Sequence, residues 1–202
     1  MQHYFIDKTH KESDFFKYKV TFNDTTFTFN SCDSVFSKNE LDYGSLTLIK
    51  AVIKTFEDDG YNILDMCCGI GSIGLILADN FKDSKIDMCD INKTAVELTQ
   101  KNKDENNITN INEVFVSNMF DNVSNSYDII VSNPPIKTGK KLLFQFAEDS
   151  IKHLKDDGHL VLVIKKNLGE ESLRKKLIEI YGNCEVIKRD KGFYILLSKK
   201  TN

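Results

Sequence analysis

Asn62-Ile63-Leu64-Asp65-Met66 runs directly into Cys67-Cys68-Gly69-Ile70-Gly71-Ser72-Ile73-Gly74. A short apolar strand ends beside an acid, and glycines lead into a helix. Gly69 and Gly71 carry no Cβ, so a ligand can approach the backbone closely there. Such a turn can serve a dinucleotide, another nucleoside, or only the chain's own geometry. A dinucleotide places its pyrophosphate on the helix N-terminus, where an acid at the loop would repel it. Asp65 instead suits a ligand carrying an ammonium or sulfonium group.

Outward from this unit the same alternation recurs. Strands are predicted over Lys85–Cys89, Glu113–Val116, Tyr127–Val131, His159–Ile164, Glu185–Lys188 and Tyr194–Ser198, with helices in the gaps. Thr94–Asn102 carries Ala95, Val96 and Leu98 behind an Asn92 cap, Lys141–Leu154 forms an apolar stripe, and Leu168–Tyr181 places Leu173, Leu177 and Ile180 on one face. Strand-helix alternation of this kind builds an α/β domain whose mostly parallel sheet is covered on both faces. The last two of seven strands are separated only by Arg189-Asp190-Lys191-Gly192, so they form an antiparallel hairpin. Lys17–Phe22 and Thr25–Asn30, around Asn23-Asp24, read as a further small hairpin. Residues 1–40 are expected to be an extension carrying it, packed on a core domain of residues 41–202.

Composition narrows the function classes. A chain of 202 residues with 41% hydrophobic content can bury one full core. A net charge of −3 gives no global basic field, so any nucleic-acid contact must rest on a local patch. Five cysteines without a C-x-x-C spacing argue against a metal site or a disulfide framework. No window approaches a membrane span and no secretory h-region opens the chain, so a cytoplasmic location with reduced thiols is expected.

Ligands of such sheets bind beyond the carboxyl ends of the strands, near the point where strand order reverses. Met88-Cys89-Asp90-Ile91-Asn92 places a carboxylate about 20 residues past the glycines, the distance at which an acid accepts from ribose hydroxyls. Ser117-Asn118-Met119-Phe120 offers a polar group and an apolar face suited to adenine. The fourth strand ends in Ser132-Asn133-Pro134-Pro135, which contains both prolines of the chain. Prolines hold the backbone extended and leave its carbonyls without internal partners. The Asn133 side-chain oxygen and a neighbouring carbonyl can then accept both hydrogens of an exocyclic NH₂, aiming its lone pair at an electrophile.

With these four loops the chain resembles the class I S-adenosylmethionine-dependent methyltransferases. It is most similar to the small-domain group that includes the small-subunit ribosomal RNA guanine-N2 methyltransferases. The resemblance runs from about Tyr18 to the C-terminus. It includes Val35-Phe36-Ser37 with Leu41-Asp42-x-Gly44-Ser45, Asn133-Pro134-Pro135-Ile136-Lys137-x-Gly139-Lys140, and Asp190-Lys191-Gly192-Phe193-Tyr194. Larger members carry an extra N-terminal domain, and this chain is similar to a compact single-domain branch. The resemblance implies a Rossmann-like methyltransferase fold, S-adenosyl-L-methionine as cofactor with S-adenosyl-L-homocysteine as product, and no metal. Asp65, Cys67, Gly69 and Gly71 would hold the methionine portion, Asp90 the ribose with Ile91 beside it, and Asn118 with Met119 the adenine. Asn133, Pro134, Pro135 and Ile136 would hold the target amine where it meets the cofactor. Three positions depart from the family's pattern. Cys67 stands where a glycine is usual, Asn118 where an acid is common, and Ile136 where many relatives place an aromatic. Phe36 is a candidate replacement for that aromatic.

The expected reaction is transfer to guanine N2 in small-subunit ribosomal RNA or an assembly intermediate of the subunit, by a monomer. Lys137, Lys140, Lys141, Lys165 and Lys166 follow the fourth and fifth strands and are the candidate phosphate contacts, whereas Lys175 and Lys176 read as surface charge. Two other readings stand beside this one: another amine acceptor, adenine N6 or a protein glutamine amide, and a non-catalytic cofactor-binding module.

Overall fold

The computed structural model describes residues 14–35, 40–57, 59–135 and 139–201. In chain order the elements are β1 (Phe15–Phe22), β2 (Thr25–Cys32), α1 (Tyr43–Thr55), β3 (Asn62–Met66), α2 (Ser72–Asn80), β4 (Lys85–Asp90), α3 (Lys93–Glu105) and β5 (Ile111–Val116). They continue with β6 (Tyr127–Ser132), α4 (Lys140–Ser150), β7 (Leu154–Lys165), α5 (Glu170–Tyr181), β8 (Glu185–Asp190) and β9 (Phe193–Lys199). β1 and β2 form a separate antiparallel hairpin, and the other seven strands form one sheet in the order β5-β4-β3-β6-β7-β9-β8. The pairs from β5 through β7 are parallel, while β9 runs antiparallel to both β7 and β8. The predicted α/β sheet with its antiparallel end is therefore the observed one.

Alternation along each central strand feeds two cores, as a sheet covered on both faces requires. Ile63, Ile129, Val131, Val161 and Val163 join the core under α1, α2 and α3, with Leu48, Val52, Ile76 and Leu98. Leu64, Ile130, Leu160, Leu162 and Ile164 point the other way, against Phe146 of α4 and Leu173 and Leu177 of α5.

Several boundaries depart from the sequence reading. The helix expected to reach Leu154 ends at Ser150, Ile151–His153 tighten into a 3₁₀ turn, and Leu154 already pairs with Tyr127. The strand expected over His159–Ile164 begins at Leu154 instead, with an irregularity in its pairing and Asp157 at φ 63°. β5 likewise begins earlier, at Ile111, which is buried between polar neighbours.

The hairpin packs Phe27 and Phe29 into the first core, burial that contributes about 1.5–3 kcal/mol per side chain. Its β2 edge is closed by two asparagines one turn apart, Asn102 of α3 and Asn106 at its C-cap. Asn102 Oδ1 accepts from Asn30 N at 2.7 Å, and Asn102 Nδ2 donates to Asn30 O at 3.1 Å. Asn106 repeats this with Thr28, at 2.8 Å in both directions. Two side-chain amides thus stand in for a neighbouring strand and satisfy an edge that would otherwise be open.

Candidate active site

Chain order moves outward from β3 through β4 to β5 on one side, and through β6 to β7 on the other. The loops after β3 and β6 therefore diverge at the reversal point, where the sheet opens a crevice. In the first loop, Cys67, Gly69 and Gly71 all have left-handed backbone, at φ 61°, 58° and 85°. A Cβ added at Gly69 would meet nothing within 4 Å, so this turn presents bare backbone to open space. At Gly71 a Cβ would lie 2.8 Å from Thr99 Cγ2. That glycine is required for packing on α3. The cysteine in place of the usual first glycine is accommodated, but in a backbone region that costs a side-chain-bearing residue roughly 1–2 kcal/mol.

The loop is pinned by four hydrogen bonds, two to β4 and two to α3. Gly69 N donates to Asp90 Oδ2 at 2.9 Å, and Cys68 N to Cys89 O at 3.0 Å. Thr99 Oγ1 donates to Gly69 O at 2.9 Å, and Asn102 Nδ2 to Ile70 O at 3.0 Å. Thr99 and Asn102 went unnoticed in the sequence. The only available hint was their spacing on one face of the helix behind the Asn92 cap, which accepts from Thr94 N and Ala95 N as expected.

Asp65 differs from its expected place. It is fully buried behind the loop, where Oδ2 accepts from Gly74 N at 2.8 Å in the first turn of α2. Its carboxyl does not lie on the crevice surface, because the β3 pleat turns that residue toward α2. Oδ1 has no hydrogen-bond partner, and burial pushes the carboxyl up to about 8. Asp90, by contrast, is partly exposed at the end of β4, with Oδ1 accepting from Asn92 N at 2.9 Å. Burial raises its pKa too, against the backbone donors that lower it.

Ile91 and Val116 are exposed apolar side chains at the ends of β4 and β5, flanking the position where a flat ring could lie. Asn118 is exposed, and its Nδ2 donates to Asp121 Oδ2 at 2.9 Å. A carboxylate from three residues later thus stands beside Asn118, a spacing that the sequence reading did not single out. Met119 adopts φ 51°, and its carbonyl accepts from Ser117 Oγ at 2.7 Å, closing the turn.

Asn133 follows β6 and is partly buried. Its Nδ2 donates to Asp42 Oδ2 and to Ser45 Oγ, each at 3.0 Å. With both amide hydrogens engaged, Oδ1 is the group left to accept from a ligand. Asp42 is also the N-cap of α1, accepting from Gly44 N at 2.8 Å and Ser45 N at 3.1 Å. Pro134 is buried and Pro135 partly buried. Ile136, Lys137 and Phe36 lie outside the described residues. Lys140, Lys141, Lys165 and Lys166 are exposed on the carboxyl side of the sheet, whereas Lys175 and Lys176 sit on α5 in ion pairs with Glu171 and Glu148.

The crevice offers bare backbone at Gly69, a carboxylate at Asp90, an apolar shelf at Ile91 and Val116, and an amide-carboxylate pair at Asn118 and Asp121. That donor and acceptor set fits an adenosine with an amino-acid tail.

A family model described as methyltransferase small domain matches residues 26–197. The Bacillus subtilis protein YbxB, itself described as uncharacterized, is 40% identical over 98% of both chains. A Vibrio parahaemolyticus protein named ribosomal RNA small subunit methyltransferase C is 29% identical over 96% of this chain, and its Aeromonas hydrophila namesake 31% over 93%. This chain spans about half the length of those two relatives, 56% and 54%. Among solved structures, the T. thermophilus 16S rRNA N2 G1207 methyltransferase (RsmC) in complex with AdoMet and guanosine superposes with TM-score 0.82 at 23% identity. That match covers 92% of this chain and 50% of that one. At that identity the likeness speaks for the fold.

Proposed function

The chain belongs to the methyltransferase small domain family of S-adenosylmethionine-dependent enzymes, and from that premise we propose that it methylates the exocyclic N2 of a guanine in small-subunit ribosomal RNA. The observation that carries the reading is Asn133, whose amide hydrogens are both engaged by Asp42 and Ser45, which leaves Oδ1 as its acceptor for a substrate amine. Support for the acceptor class comes from the relatives named for small-subunit rRNA methylation.

In this reading Gly69, Gly71 and Cys67 present backbone to the methionine portion, Asp90 and Ile91 take the ribose edge, and Asn118 with Met119 takes the adenine. Asp121 joins them, and Asp65 serves by holding the first turn of α2. The bound cofactor supplies a methyl group already activated on a sulfonium. The chain's own residues supply position. Asn133 Oδ1 accepts one N–H of the amine, the Pro134 carbonyl accepts the other, and Pro135 and Ile136 shape the wall beside the base. Two acceptors favour a pyramidal nitrogen and stabilise the charge that develops on it. In-line placement can lower the barrier by up to ~7–11 kcal/mol. The proton then leaves to water, so no histidine base is needed. Residues 1–40 act as an extension bracing the transfer domain of residues 41–202, and Lys140, Lys141, Lys165 and Lys166, with Lys137, meet phosphates. The enzyme works in the cytoplasm as a monomer, on free rRNA or a subunit intermediate where the base can be flipped out.

The test is transfer of labelled methyl groups to total RNA, small-subunit particles and protein extract, followed by nucleoside mass spectrometry. N2-methylguanosine in the small-subunit fraction is expected. Label confined to protein, or to N6-methyladenosine, overturns the acceptor.

A further inference from the structure

Beside Asn133 the carboxyl edge of the sheet carries two aromatic rings, each with a lysine above it. Tyr43 opens α1 directly after Asp42, and its ring centroid lies 6.0 Å from that of Phe193, the first residue of β9. Lys191 Nζ stands 4.5 Å from the centre of the Tyr43 ring, and Lys165 Nζ stands 5.0 Å from that of Phe193. Lys166 N donates to Gly192 O at 2.9 Å, which joins the turn after β7 to the turn between β8 and β9. Two cations thus stand over two partly buried rings, and Lys166 lies exposed on the adjoining turn. Among the described residues, none of the ion pairs involves Lys165, Lys166 or Lys191.

Phe193 packs one side on the first core, but the lysines above the rings are not needed to hold the fold together. Exposed cation–π contacts are weak. What the rings require structurally is met by Gly44, where a Cβ would lie 2.8 Å from Phe193 Cε1. A net negative chain that clusters unneutralised lysines around aromatic faces at one edge has the two components of a single-strand binding surface. One is ammonium groups for phosphates and the other is π-faces for bases.

We infer that Tyr43, Phe193, Lys165, Lys166 and Lys191 form a docking strip for the single-stranded RNA flanking the nucleotide presented to Asn133. Phosphates draw the ammonium groups off the rings, and bases take their place, because base–aromatic stacking is the stronger of the two interactions. Tyr43 adjoins Asp42, which orients Asn133, so a base stacked there lies next to the target nucleotide along the strand. The inference rests on the RNA reading above and adds where the rest of the strand lies.

The experiment is fluorescence anisotropy of the full chain with a single-stranded RNA of about ten nucleotides, within the usual site size, with inorganic polyphosphate as a second probe. Tyr43→Leu and Phe193→Leu keep an apolar body but lose the π-face. Each is expected to weaken RNA roughly tenfold and to leave polyphosphate affinity unchanged. The double variant Lys165→Gln, Lys191→Gln is expected to weaken both probes and to flatten the salt dependence by about 0.7 per lost phosphate contact. Lys85→Gln, exposed at the opposite edge of the sheet, is the control. Thermal melting monitors folding. Wild-type RNA affinity in the ring and lysine variants, together with wild-type RNA methylation, overturns the strip alone. A wild-type protein that methylates no RNA overturns the function and the strip together.

Discussion

Asn133 Nδ2 and Asp42 Oδ2 lie 3.0 Å apart, joining the end of β6 to the cap of α1 across 91 positions of sequence. One carboxylate therefore performs two tasks. It satisfies the first N–H groups of the helix and takes an Asn133 amide hydrogen, leaving Oδ1 as that side chain's free acceptor. Asn133→Ala is expected to abolish methyl transfer while leaving cofactor affinity close to wild type by calorimetry. A full-rate Asn133→Ala enzyme would remove the mechanism.

Asp42→Asn is the sharper variant. Asparagine still caps α1, so the fold should persist within about 1 kcal/mol. The new amide can set a donor against the Asn133 Nδ2 donor, and Asn133 is then expected to flip and present its NH₂ to the substrate amine. A drop in kcat of about 10²–10³-fold is expected, the scale of losing one aligned group at the reacting atom, with cofactor affinity retained. Ser45→Ala removes one of two partners and should cost on the order of tenfold. Single-turnover rates with unchanged melting curves check both.

Cys67 holds φ 61° where the family pattern has glycine. Cys67→Gly relieves strain of roughly 1–2 kcal/mol and adds about 0.5–1 kcal/mol of unfolded-state entropy, so stability should stay within about 1 kcal/mol of wild type or rise. Cys67→Val, β-branched at positive φ, should lose clearly more. Urea denaturation of the pair is the measurement, and equal losses for Gly and Val would show that backbone conformation does not govern this position.

Asn102 and Asn106 close the same hairpin edge, but only Asn102 also reaches the cofactor loop, through Ile70 O. Asn102→Ala strands buried groups on both sides and should destabilise by about 2–4 kcal/mol, at 1–3 kcal/mol per unsatisfied group. Asn106→Ala should cost less. At a temperature where both variants are folded, Asn102→Ala is expected to weaken S-adenosylmethionine binding more than Asn106→Ala does. Equal affinities would mean that the hairpin does not brace the loop.

The sheet was readable because its signals are local. Each strand from Ile63 to Leu196 is a short apolar run between helical stripes, and a hairpin-length connection forces β8 and β9 antiparallel. The loops that carry ligand groups follow from strand ends for the same reason. What escaped is non-local. Asp42 meets Asn133, and Asn102 meets Asn30, through pairings 91 and 72 positions apart that no periodicity encodes. Asp65 was legible as an acid at a strand end but not as a buried one. The direction in which its side chain leaves the strand depends on how α2 packs, with Gly74 close enough to donate its N–H.

That burial gives Asp65 a pH signature. Its carboxyl is pushed from an ordinary value near 3.8 up to about 8 by desolvation, with the Gly74 hydrogen bond opposing. The folded protein therefore retains a proton that the unfolded chain releases above about pH 4. More protons bound in the folded state means that stability falls as pH rises from about 4 to about 8, and levels off above that. Asp65→Asn keeps an acceptor for Gly74 N without the charge. It should flatten this dependence and be more stable than wild type at pH 8, by on the order of 1–3 kcal/mol for relief of an uncompensated buried group. Thermal melting at pH 5, 6.5 and 8 checks this. If wild type and Asp65→Asn keep a constant stability difference across that range, Asp65 is ionised throughout, and a cation or water must reach its free oxygen.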